Sequence, residues 1–252
     1  MATPRPSEDR ARSFGQGAAA YRRARPPYPA DAVRWLVPAD ARRVLDLAAG
    51  TGKMTERLVE LGFDVIAVEP SEKMRAELLA VAPGARLLAG TAEAIPLADG
   101  ALDAVVVAQA WHWFHAERAV PEIARVLRPG GRLGVAWNVR DHTVPWVEEF
   151  TRIIHRGDSL DPLHGEPDLG SALGHTAFGP VERATFAWTH RILATELRTL
   201  AASRSNTLTL PPADRERLLD DVDTLARTHP DLAGRRELDL PYRTECWRAN
   251  LR

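Results

Sequence analysis

Between residues 43 and 138 the hydrophobic positions change period in a regular way. From Arg43, RVLDLA is a short apolar run of strand character, and Gly52 to Glu60 switches to helical spacing. Asp64 to Val68 is a second strand, and the next helix, SEKMRAELLA, starts behind Ser71, which suits an N-cap. That helix puts Met74, Leu78 and Leu79 on one face. Ala85 to Leu88 predicts a third strand, LDAVVVAQA a fourth, Ala119 to Leu127 a helix and RLGVAWN a fifth strand. Arg128-Pro129-Gly130-Gly131 closes the helix before that strand. Continuous apolar strands alternating with amphipathic helices imply a parallel sheet covered on both faces. Ligands of such sheets bind at the carboxyl ends of the strands.

On either side the pattern changes. Upstream, FGQGAAAYRRARPPYPADAVRWLV predicts a short helix, a proline break at Pro26, Pro27 and Pro29, and a second helix. Downstream, VPWVEEFTRIIH is helical and RGDSLDPLHGEPDLGSALGH is a loop of Gly, Pro and His, together an insertion or lid. ERATFAWTHRI is a strand, TELRTLAASRS and DRERLLDDVDTLARTH are helices, and LPYRTECWRAN is an edge-type or terminal strand. The organisation expected is a helical cap over residues 1–40, a core over 41–139, a lid over 140–180, and the rest of the same sheet domain over 181–252.

Composition narrows the function little. The 252 residues suffice for a sizeable core, and a formal net charge of -1 gives no basic field for nucleic acid. A single Cys, Cys246, excludes an internal disulfide. MATPRPSEDRARS lacks the apolar centre of a signal peptide, and no apolar run is long enough to span a bilayer. The expectation is a cytoplasmic protein with no membrane or nucleic-acid partner, monomeric or homodimeric.

The chemistry concentrates in VLDLAAGTGKMTERL, Val44 to Leu58. Small residues between a strand and a helix let a ligand approach the backbone, and the helix start offers free N–H groups. A dinucleotide fingerprint needs a third glycine, but that position falls on Thr55 or Lys53. Glu69 ends the second strand where a ribose hydroxyl would be held. The pattern therefore points to a nucleoside more than to a pyrophosphate.

Asp46-Leu-Ala-Ala-Gly-Thr-Gly52 resembles the first motif of class I S-adenosylmethionine (SAM)-dependent methyltransferases. Four further segments follow in that family's order. Val68-Glu-Pro-Ser71 resembles the ribose-binding acid motif, and Gly90 to Phe114 the adenine loop and fourth strand. Glu122 to Leu133 resembles the helix and turn before strand five, and FGQGAAAYRRARPPYP the N-terminal cap of trans-aconitate-type and other small-molecule methyltransferases. The resemblance implies a Rossmann-like, doubly wound, mostly parallel seven-stranded sheet with a C-terminal antiparallel strand and a helical lid. It implies SAM as cofactor and a small-molecule acceptor methylated at a carboxylate or hydroxyl oxygen; no metal is expected, since His112 and His115 find no third ligand at a convincing spacing.

By the same resemblance Asp46 orients the methionine end, unless it only caps the turn. Ala48, Gly50, Thr51 and Gly52 line the methionyl part and ribose, and Glu69 accepts from both ribose hydroxyls. Pro70 and Met74 pack on the adenine, Ala92 N–H donates to it, and Thr91 and Glu93 lie beside it. Gln109 and Ala110 meet the methionine portion through the backbone. Two departures stand out: Ala48 replaces the first glycine, and Thr91 stands where many relatives carry an Asp.

Ala110 to His115, AWHWFH, places bulky rings just past a strand end. His112 is the candidate general base for an oxygen nucleophile, whereas a carboxylate acceptor is already ionised at pH 7. In-line transfer then depends chiefly on alignment. In the cap, Tyr21 and Arg25 are candidates for the cofactor's carboxylate, or for a structural clasp. Tyr28, Trp113, Trp137 and Arg140 are candidates for the acceptor pocket, Arg140 for an anionic acceptor. Rival functions are a nicotinamide oxidoreductase, an RNA or protein methyltransferase, and a non-catalytic SAM-binding protein.

Overall fold

The computed structural model describes residues 25–156, 169–174 and 176–252. Tyr21, the first cap helix and much of the loop after His155 lie outside them. Helix α1 (Ala30–Leu36) begins directly behind Pro29, where the proline break ends. Then follow β1 (Arg43–Leu47), α2 (Lys53–Glu60), β2 (Asp64–Val68), α3 (Glu72–Val81), β3 (Arg86–Leu88), β4 (Leu102–Ala108), α4 (Ala116–Val126) and β5 (Leu127–Arg140). Beyond them come α5 (Pro145–Ile154), α6 (Leu169–Leu173), β6 (Glu182–Leu193), α7 (Glu196–Ala202), α8 (Ser205–Thr209), α9 (Pro212–Thr228) and β7 (Glu237–Asn250).

The seven strands form one sheet in the order β3-β2-β1-β4-β5-β7-β6. The pairs β1–β2, β1–β4, β2–β3 and β4–β5 are parallel. Leu251 N–H donates to Gly131 O and Asp141 N–H to Pro241 O, so β7 runs against β5. Ala194 N–H donates to Arg236 O and Gly179 N–H to Asn250 O, so β6 runs against β7. The α/β fold with a mostly parallel sheet and an antiparallel C-terminal strand is thus observed. One detail differs from the sequence pattern. LPYRTECWRAN is not an edge: β7 lies inside the sheet and β6 takes the rim. Its run of buried residues from Thr244 to Trp247 requires cover that an edge would lack.

The described chain divides into two compact units. A sheet unit holds residues 27–138, 169–186 and 244–252; a helical unit holds 139–156 and 187–243 with Arg25 and Pro26. In the sheet unit, alternation along each strand builds two cores. Leu45, Leu47, Ile66, Val68, Val105, Val107, Leu133 and Val135 pack with Val120 and Ile123 of α4. The intervening Val44, Val65, Ala67, Ala104, Val106 and Ala136 pack with Met54 and Leu58 of α2 and Leu78 of α3. Each Val, Leu, Ile or Met side chain among these contributes about 1.5–3 kcal/mol on full burial. The helical unit has its own core, built by Trp146, Val147, Phe150, Leu197, Leu200, Leu218 and Val222 with Leu240 and Tyr242.

Candidate functional site

Strand order reverses between β1 and β4: the chain steps outward through β2 and β3 on one side and through β5 on the other. Such a switch point leaves a crevice beyond the carboxyl ends of the strands. Here the two strand ends share an unusual backbone. Ala48 follows β1 with φ 59° and Gln109 follows β4 with φ 59°, the two non-glycine residues with positive φ among the described residues. A left-handed L-residue costs about 1–2 kcal/mol, and such strain gathers at functional sites.

The loop after β1 alternates left-handed positions, Ala48, Gly50 (φ 57°) and Gly52 (φ 88°). Gly52 is required twice over. Its φ suits glycine, and a Cβ there would come within 2.8 Å of Leu78 Cγ, so α2 and α3 approach closely only because it has none. A Cβ on Gly50 would stand 3.8 Å from Met74 Sδ, leaving the loop open above that side chain. Thr51 is buried.

Two acids lie beneath this loop. Asp46 shares the α2 face of β1 with Val44, and its Oδ2 accepts from Thr55 Oγ1 at 2.5 Å. Its Oδ1 is buried and has no partner among the described residues. Burial, opposed by the Thr55 bond and reinforced by Glu69, pushes its pKa up to about 7. Glu69, at the end of β2, is equally enclosed rather than a solvated strand end. Its Oε2 accepts from Gly50 N–H and its Oε1 from Ser71 N–H, each at 2.9 Å. Burial raises its pKa, while those two N–H groups and Arg75 pull it down. Arg75 also ties the strand end, donating to Glu69 O and Pro70 O. Ser71 caps α3 by accepting from Met74 N–H at 3.4 Å.

Around them, Met74, Ala92 and Ala110 are buried, and Pro70 and Thr91 are exposed. Glu93 Oε1 accepts from His115 N–H at 3.0 Å, holding the start of α4. Gln109 N–H donates to Ala136 O, and its Nε2 donates to Asn138 O, both at 3.0 Å. Asn138 in turn donates to Pro27 O and accepts from Thr244 Oγ1. His112 stands in a single turn, Trp111–Trp113, its ring 4.5 Å from that of Trp113 and 5.0 Å from that of Trp137. The residue is exposed, with its ring packed between those of Trp113 and Trp137. Desolvation lowers its pKa, so the ring is neutral at pH 7.

The other described candidates belong to different surroundings within their own units. Tyr28 is buried among Val33, Leu36, Met54 and Leu58, and its carbonyl accepts from Arg57 Nε. Arg25 and Arg140 belong to the helical unit, where Arg140 Nε donates to Thr151 Oγ1. Conversely, sequence reasoning passed over Thr55 and Asn138. Thr55 lies nine residues from Asp46 on the helix that the glycine loop opens, a spacing that signals the pair in hindsight.

The arrangement fits one kind of ligand. An orphan carboxylate oxygen suits an ammonium group, and a second carboxylate held by backbone donors keeps lone pairs for vicinal hydroxyls. The left-handed loop between them admits a ligand against its backbone. SAM carries both groups, and these residues fit it.

Comparison with known proteins agrees. The methyltransferase domain family matches residues 45–135. An uncharacterized methyltransferase of Mycobacterium tuberculosis is 50% identical over 243 residues, 96% of this chain and 97% of that protein. A demethylmenaquinone methyltransferase of Beutenbergia cavernae is 42% identical over 106 residues, 42% of this chain and 43% of that protein. A solved structure from Anaeromyxobacter dehalogenans, assigned as a type II methyltransferase, superposes with a TM-score of 0.68 at 24% identity. It covers 89% of this chain and 97% of that one.

Proposed function

The chain belongs to the class I SAM-dependent methyltransferases, and on that premise we propose that it methylates a small molecule at a carboxylate or hydroxyl oxygen. The observation that carries this reading is the aromatic group His112, Trp113 and Trp137 at the carboxyl ends of β4 and β5. Flat rings beside a neutral imidazole suit a compact organic acceptor. The Beutenbergia relative is named for a small-molecule acceptor, which favours the same class.

When bound, SAM supplies an electrophilic sulfonium methyl group. The chain's part is to bind and align. Asp46 Oδ1 takes the ammonium group, which restores the carboxylate charge that burial opposes. Glu69 accepts from the ribose hydroxyls while its N–H partners fix its orientation. The backbone of Ala48, Gly50, Thr51 and Gly52 lines the methionyl part. Met74 and Pro70 pack on the adenine, and Ala92 N–H donates to its ring. Thr91 and Glu93 flank it. Gln109 and Ala110 present backbone groups to the methionine portion. His112 takes the proton from a hydroxyl acceptor; a carboxylate acceptor needs no base.

The test is transfer of a radiolabelled methyl group from SAM to a panel of small carboxylates and phenols, with bulk RNA and protein as parallel acceptors. Label in a small molecule supports the reading. Label confined to RNA or protein overturns it. Saturable cofactor binding without transfer to any acceptor assigns a non-catalytic SAM-binding protein.

A further inference from the structure

Thr91, Ala92 and Glu93 stand on the segment between β3 and β4, residues 89–101, which has no helix or strand of its own. Such a backbone needs partners from outside. Helix α4 supplies them. Arg125 Nε donates to Glu122 Oε1 and Nη2 to Glu122 Oε2, each at 2.8 Å, a fork between residues one helical turn apart. Nη2 also donates to Ile95 O at 2.9 Å, and Nη1 to Leu97 O and Asp99 Oδ1, both at 2.8 Å. Those bonds use all five N–H groups that a guanidinium has. Glu122 Oε2 accepts in turn from Ile95 N–H at 2.9 Å. The pair therefore engages both main-chain groups of Ile95, as a neighbouring strand would.

The same segment is pinned elsewhere. Glu93 Oε1 accepts from His115 N–H directly before α4, and Gly100 N–H donates to Arg125 O. Pro96 closes over Gly90, where a Cβ would come within 2.7 Å of Pro96 Cδ. Ala94 N–H donates to Thr91 O at 3.3 Å, which makes the chain from Thr91 to Ile95 a tight turn. Inside that turn Ala92 is 3% exposed, and its N–H donates to none of the described residues. A buried donor held in a fixed frame is ready for an acceptor on a ligand.

We propose that Arg125 and Glu122 are positioning residues for the cofactor's base. They hold the turn so that Ala92 N–H meets the N1 acceptor of adenine, and they touch the cofactor nowhere. The proposal rests on the reading that Ala92 N–H donates to the adenine ring.

The experiment is calorimetric titration of the full chain with S-adenosylhomocysteine and, separately, with S-inosylhomocysteine. Hypoxanthine carries a hydrogen on N1, so the second probe sets donor against donor. The wild type binds the adenine compound tighter by about tenfold or more. Arg125→Gln and Glu122→Ala bring the two affinities within about twofold. Glu122→Gln keeps an acceptor for Ile95 N–H and keeps the selectivity. A ratio of two affinities is independent of the fraction folded, so lost stability alone does not move it. Should Arg125→Gln fail to fold, Arg125→Lys, which pairs with Glu122 without spanning both carbonyls and Asp99, takes its place with the same expectation. A wild-type ratio in the folded Arg125 and Glu122→Ala variants overturns the proposal and leaves the reading of Ala92 standing. A wild type that binds the adenine compound no tighter than the inosine compound overturns that reading, and the proposal with it.

Discussion

In the sheet unit two acids, Asp46 and Glu69, are enclosed near the ends of β1 and β2; in the helical unit a cation, Arg140, is desolvated. The acids are held by donors from neighbouring turns, Thr55, Gly50 and Ser71, so their geometry is fixed without a ligand. Arg140 leans on neutral groups, Thr151, Phe150 and Tyr242. Both arrangements keep charge where water is scarce, and Asp46 Oδ1 leaves capacity for a ligand of opposite charge. The acids are fixed by the loops and helix starts that follow β1 and β2, Arg140 by α5 and β7.

The strongest way to break this contrast is to remove the charge at Asp46. Its pKa of about 7, against an ordinary 3.8, means the folded state resists ionisation. The linkage penalty is absent below about pH 4, grows as pH rises, and is complete above about pH 7. Three units correspond to about 4 kcal/mol as an order of magnitude. Asp46→Asn, which keeps an oxygen for Thr55, raises the melting temperature at pH 8 and leaves it unchanged at pH 4. The same variant loses affinity for S-adenosylhomocysteine more than tenfold. In the wild type that affinity climbs from pH 6 to pH 8, and in the variant the climb disappears.

Gly52→Ala comes next. The methyl group meets Leu78 and Val81 in a left-handed backbone, costing about 2–3 kcal/mol in denaturant titration. Glu69→Ala strands the N–H groups of Gly50 and Ser71, for about 1–3 kcal/mol of stability, and sharply weakens S-adenosylhomocysteine binding in calorimetry. Ala48→Gly relieves the φ of 59° and gains about 1 kcal/mol. Gln109→Gly gains less, since it forfeits the bond to Asn138 O. In the helical unit, Arg198→Ala removes a largely solvated network and costs under about 1 kcal/mol in a thermal melt.

The sheet unit was largely legible because its chemistry is written in short contiguous pieces. Asp46 to Gly52 and Val68 to Ser71 each join a strand end to a helix start, so period and motif agree. Ser71 as a cap follows from its place before Met74. The left-handed Ala48 and Gln109 were not legible, since nothing but glycine advertises a positive φ. Nor was the Glu69–Gly50 bond, which depends on β1 and β2 being paired in register. The setting of Arg140 escaped for a related reason: Thr151 and Tyr242 share no spacing with it, and only folding brings them together. The inner position of β7 escaped because alternation reports burial, not the order of strands.

That position has a consequence for synthesis. β6 emerges from the ribosome before β7, with α7, α8 and α9 made in between. Until β7 arrives, β6 has no partner in the sheet and the outer edge of β5 stays open. Nascent chains of this length therefore carry two unsatisfied edges at once, the condition under which neighbouring chains pair wrongly. Closure waits on a single late strand, which makes the final segment the step a chaperone would guard.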